Sequence, residues 1–179
     1  MILYDFRQEA FNDALFFLEQ AQSVKDPNLE PFRYWRYCKW SVMTSAIFME
    51  SYLISHIRAI LNEIDPELLS IFQKNPPKGF RSGFYANLKL LEFITDSIIM
   101  DDTNHDWKSI GTTVTLRNHI AHFKEGVFPN SLTLENAETA VISCRLFVKK
   151  FHTLLGDDYT KFAPWIDKQS SDNYDIPYK

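Results

Sequence analysis

The feature that most constrains this chain is where its helix breakers fall. From Pro31 it runs about thirty residues without proline or glycine, to Ile64, where Asp65-Pro66 interrupts it. Proline is at home in a first helical turn, because its missing N–H would have no partner there and its φ is already set. The residue before a proline is pushed out of the helical region, so Asp65 ends or bends the segment. The stretch reads as one long helix or two in series.

The same punctuation divides the rest. Residues 3–23 carry Tyr4, Phe6, Phe11, Leu15, Phe16 and Leu18 at approximate helical spacing before Asp26-Pro27-Asn28 breaks the pattern. A short segment at 66–74 precedes the loop Asn75-Pro76-Pro77-Lys78-Gly79. Residues 82–99 resume helical spacing with Phe84, Leu88, Leu91, Ile94 and Ile98, and Met100–Asp106 reads as a loop. Ile110, Val114, Leu116 and Ile120 mark a helix over 107–123, and Gly126–Ser131 breaks the chain again. Thr133 opens a last long helix that Gly156 closes after Leu155. With only five glycines, a sheet-rich fold full of tight turns is disfavoured. The expectation is an all-α protein, a single bundle of five or six helices over residues 1–160, with 161–179 as a polar C-terminal tail.

Composition narrows the function classes. A net charge of −4 argues against broad, charge-driven coating of nucleic acid, though it leaves room for one small basic cleft. Cys38 and Cys144 cannot make a disulfide framework and read as small core residues of a reducing compartment. The start MILYDFRQEAF lacks a basic region followed by an apolar stretch, and no window approaches a membrane span. A cytoplasmic location is expected, with no membrane partner.

No Cys/His metal spacing, phosphate-cradling glycine loop or nucleophile elbow is present in the sequence. His105 with Asp101, Asp102 and Asp106 reads as a solvated loop, because no further ligand group is identifiable. Neither a metal nor a cofactor is expected. The stretch Arg33-Tyr34-Trp35-Arg36-Tyr37-Cys38-Lys39-Trp40 interleaves cations with rings, as single-stranded nucleic-acid sites do. Arg33, Arg36 and Lys39 are therefore candidate RNA contacts. The alternative is a helix that packs its rings inward and leaves its cations in water.

The run Arg117-Asn118-His119-Ile120-Ala121-His122 carries the most suggestive chemistry. Seven Arg and five His give about 0.2 chance occurrences of Arg-x(4)-His, and requiring Asn after the Arg lowers that to about 0.01. Arg145 and His152 offer a looser match, but Leu146 follows the Arg and the surroundings are ordinary amphipathic helix. We accept 117–122 and reject 145–152.

Arg117, Asn118 and His122 resemble the signature of the HEPN superfamily, helical-bundle proteins found among toxin ribonucleases and antiviral effectors. The motif covers six residues; the broader likeness, a long early helix and a motif helix before a final long one, covers 31–155. The resemblance implies a metal-independent endoribonuclease, a toxin or phage-defence effector, working on RNA through a composite site at a homodimer interface. It also implies an antitoxin or regulatory protein as a partner. In HEPN toxins paired with nucleotidyltransferase antitoxins a Tyr lies two residues beyond the His. Here that position is Lys124, which speaks against regulation by that route.

The residue types suit the reaction. Metal-free RNA cleavage needs a base for the 2′-hydroxyl, an acid for the leaving oxygen, and positive charge on the phosphorane. Histidine titrates near neutrality and serves either of the first two. Arginine supplies permanent charge in a planar fork. Five residues of helix are about 7.5 Å of rise and 140° of rotation, so Arg117 and His122 do not stack, whereas Asn118 and His122 do. Asn118 is expected to orient the imidazole while Arg117 reaches round by its stem. His119 is either a tolerated polar position or an auxiliary acid. Glu50, set among Phe48, Met49, Tyr52 and Leu53, is either exposed or paired with Arg117 across the bundle. Alternatively, Arg117 and His122 make ordinary surface contacts, and the chain is a catalytically silent HEPN-like binding or regulatory module or an unrelated helical protein.

Overall fold

The structure, a computed structural model, describes residues 6–67, 70, 83–96, 105–122 and 130–171. Among these residues it is all helical: α1 (Phe6–Gln22), α2 (Pro31–Ile64), α3 (Phe84–Thr95), α4 (His105–Ala121), α5 (Leu134–Leu155) and the single turn α6 (Tyr159–Phe162). No strand occurs among the described residues. Most of the segment expected over 66–74, the Pro-Pro loop and most of the two other long loops lie outside them.

The punctuation behaves as expected at most ends. α2 is one continuous helix of 34 residues, about 51 Å long, starting on Pro31 and ending where the Asp65 N–H reaches Leu61 O at 2.8 Å. Thr133 caps α5 by accepting from the Asn136 N–H at 3.2 Å, and Gly156 closes it at φ 73°, a left-handed position that favours glycine. α3 stops at Asp96, itself left-handed at φ 49°. His105 and Asp106, expected in a loop, form the first turn of α4.

α1 presents a different face from the one its large side chains suggest. Its buried residues are Ala10, Phe11, Ala14, Leu15 and Ala21, while Phe6 and Phe16 are exposed. The alanines let α2 approach closely, and Ser41 Oγ donates to Ala14 O at 3.0 Å across the contact.

Two cores result. The larger gathers Phe11, Phe48, Tyr52, Phe147, Phe151 and Trp165 from α1, α2, α5 and the C-terminal segment. The smaller packs Leu116 and Ile120 of α4 against Cys38 and Val42 of α2 and Ala137 and Ala140 of α5. Both cysteines are buried and unbridged; burial pushes the Cys38 thiol up to about 11 and the Cys144 thiol up to about 12.

The residues from 161 begin inside the bundle instead of trailing from it. Ala163, Trp165 and Ile166 are buried, Arg145 donates to Ile166 O (3.3 Å) and Lys168 O (2.7 Å), and the Ser171 N–H reaches Glu19 Oε1 at 2.7 Å. The physical reason is that three apolar side chains and a clamp on the backbone hold a segment too short to show any periodicity.

Candidate functional site

Leu116 and Ile120 turn into the smaller core, which fixes the rotation of α4 and sends the residues between them outward in different directions. Arg117 turns toward α2. Its Nη2 donates to Glu50 Oε2 at 3.2 Å and its Nη1 to Asn118 Oδ1 at 2.9 Å. The ion pair is half-buried, while Arg117 Nε is buried without a hydrogen-bond partner among the described residues. Glu50, Arg117 and Asn118 line a cavity of about 100 Å³ with Ala46, Phe84 and Tyr85.

Asn118 therefore spends its side-chain oxygen on the guanidinium. Its link to His122 is through the main chain, the His122 N–H donating to Asn118 O at 3.0 Å. The expected orientation of the imidazole by the Asn118 side chain is not what the geometry provides. The guanidinium fork instead engages Glu50 and Asn118 together. His122 stands exposed just past the end of α4, with no side-chain hydrogen bond or ion pair to any described residue. The chain thus holds Arg117 and His122 in different directions about the end of α4.

His119, the next residue after Asn118, faces a second and larger cavity of about 460 Å³. Tyr85 borders both cavities, so the two are neighbours across one ring.

The basic-aromatic stretch at the start of α2 is largely occupied by its own contacts. Arg33 pairs with Glu30 at 2.9 Å and donates to Tyr37 Oη at 3.3 Å. Lys39 Nζ lies 5.5 Å from the centre of the Trp40 ring. Tyr34, Trp35 and Tyr37 pack on the smaller core, and Tyr34 Oη accepts the Leu134 N–H at 2.8 Å. Arg36 is exposed. The arrangement is that of a packed helix with cations at its edge, and it is separated from Glu50 by about 21 Å of helix.

Arg145 and His152 have separate tasks. Arg145 clamps the C-terminal segment, as above, and His152 is fully buried with Nε2 2.6 Å from Tyr52 Oη. His56 lies against the Tyr52 ring, centroids 4.4 Å apart, with Nδ1 2.9 Å from Tyr52 O. Burial pushes the His56 imidazole down to about 4 and lowers that of His152 as well. The sequence carried no signal of this network, whose members come from residues 52, 56, 152 and 157. Asp106, from the acidic cluster around His105, pairs with Lys150 at 2.9 Å, while Asp101 and Asp102 lie outside the described residues. No three His, Cys, Asp or Glu side chains among the described residues are placed to hold a metal ion. No described helix is long and apolar enough to cross a membrane.

Comparison with protein-family models, with curated proteins and with solved structures finds no match to this chain.

Proposed function

We propose that the chain is a metal-independent endoribonuclease of HEPN type that acts as a homodimer. The observation that carries this reading is the division of α4: Arg117 is fixed from two sides by Glu50 and Asn118, and His122, one turn on, is exposed. An anchored cation and an accessible imidazole supply two of the three functions that transesterification of RNA requires. In the reaction a base takes the 2′-hydroxyl proton and the 2′-oxygen bonds to phosphorus. The P–O5′ bond then breaks, and an acid gives its proton to the departing 5′-oxygen. A 2′,3′-cyclic phosphate and a 5′-hydroxyl result. His122 takes one of the proton-transfer roles, and Arg117 stabilises the charge that builds on the phosphorane.

Because the two side chains diverge by about 140° on one helix, a phosphate beside His122 of one protomer draws its guanidinium from the second copy. This supports a site shared between two 117–122 segments, as an isologous dimer would make it.

A second reading is favoured by the Glu50 pair. A guanidinium already neutralised by a carboxylate suits a module that binds RNA or protein without cutting it. A cleavage assay in excess chelator separates the two. The nuclease yields cyclic-phosphate ends that fall by about 10²–10⁴ in rate in His122→Ala. Activity that needs added magnesium rejects the mechanism, and binding without any cleavage selects the silent module.

A further inference from the structure

The larger cavity beside the motif is built on a regular stripe. Lys108, Thr112, Thr115, His119 and His122 follow one another at spacings of four and three, the pattern that keeps side chains on one face of a helix. Lys108, Thr112, Thr115 and His122 are exposed and His119 is half-exposed. Lys108, Thr112, Thr115 and His119 line the cavity, with Tyr85 from α3 on one side and Asn136 from α5 on the other. His122 continues the stripe past its end.

Three features say what such a groove would take. First, among the described residues its lining includes a lysine and a histidine and no carboxylate, in a chain with 23 acidic residues and a net charge of −4. Asp106, two residues before Lys108, is paired with Lys150, while exposed Glu135 precedes Asn136 at the opposite wall. Second, among the described residues the side chains of Lys108, Thr115 and His119 have no hydrogen-bond or ion-pair partner, so their donors face the groove unspent. Third, Gly111 lets Tyr85 lie against the helix: the Tyr85 hydroxyl reaches Gly111 O at 3.4 Å, and a Cβ at 111 would stand 3.0 Å from it. The ring, 38% exposed, thus forms a wall with aromatic surface toward the cavity. A cation, an imidazole and the Thr115 hydroxyl for phosphates, with an aromatic wall for a base, are the parts of a single-stranded nucleic-acid groove.

We propose that this face of α4 is the track along which single-stranded RNA reaches His122, with Lys108 anchoring a phosphate about 21 Å of helix away from the imidazole. Thr115 and His119 hold the sugar-phosphate chain between these two points, and Tyr85 receives a base. This rests on the ribonuclease reading and adds to it the direction from which substrate arrives.

The test measures anisotropy of a labelled single-stranded RNA oligonucleotide on the His122→Ala protein, where the probe stays intact, and on the same protein carrying Lys108→Glu. Lys161→Glu, an exposed reversal of the same size on α6, controls for net charge. Lys108→Glu should weaken binding about tenfold or more and reduce the slope of log affinity against log salt by about one, with Lys161→Glu within twofold of the parent. If wild type cuts RNA but Lys108→Glu binds as its parent does, or both reversals weaken binding equally, the groove is overturned and the ribonuclease reading stands. If wild type neither binds nor cuts RNA, both fall together.

Discussion

Arg117 Nη2 lies 3.2 Å from Glu50 Oε2, tying α4 to the middle of α2 with the two side chains 29% and 22% exposed. Removing either partner leaves the other charge half-buried and unpaired, which costs more than the pair itself contributes. Arg117→Ala and Glu50→Ala should each cost on the order of 1–3 kcal/mol, with the double mutant clearly less than the sum. Additive effects in urea unfolding would show that the contact carries no coupling.

The same four proteins, with Arg117→Lys added, separate structure from catalysis. Lysine keeps the charge and loses the fork that reaches Glu50 and Asn118 together. Arg117→Lys should retain RNA binding and lose most turnover, and Asn118→Ala should be milder. Turnover that falls only in proportion to lost stability would assign Arg117 to the fold alone.

Acid should weaken the fold through the Tyr52–His56–His152 network. Burial holds His56 down to about 4 and lowers His152, with Arg7 nearby acting in the same direction and Asp157 opposing it. The unfolded chain therefore binds more protons than the native one below the ordinary histidine value near 6.5. This contribution to stability is complete above about pH 6.5 and is lost as pH falls toward 4, on the order of 1–3 kcal/mol for His56. Urea midpoints at pH 7.5 and 5 should differ, and His56→Gln should shrink the difference. An identical difference in the variant would remove the network from the explanation.

Much of the fold was legible because breakers act locally. Pro31, Thr133 and Gly156 stand at the helix ends they announced. What stayed hidden depends on distant partners. Ala10 and Ala14, weak in any hydrophobic pattern, outrank Phe6 and Phe16 because α2 comes close there. At the site, an acid among apolar neighbours left Glu50 either exposed or paired with Arg117, and the pair is what forms. The claim of that pair on Asn118 could not be read from helical spacing. The groove was missed because four polar residues on a helix look like a solvated face until Tyr85 and Asn136 enclose them.

The C-terminal segment gives a direct check on the packing. Trp165 lies 5.9 Å from Phe11 and 5.8 Å from Phe48, ring centre to ring centre. Trp165→Ala should cost about 2–4 kcal/mol, as large-to-small changes in a core do. A loss under about 0.5 kcal/mol, typical of exposed positions, would mean that the segment does not belong to the core.

The shared site is tested most directly by mixing two inactive proteins, Arg117→Ala and His122→Ala, and measuring RNA cleavage in chelator. In a mixed dimer one site regains an intact Arg117 from one copy and an intact His122 from the other. Half of the dimers in an equal mixture are mixed, and one of their two sites is whole, so activity should return to about a quarter of wild type. A mixture as inert as either protein alone, at concentrations where the chain is dimeric, would contradict the account.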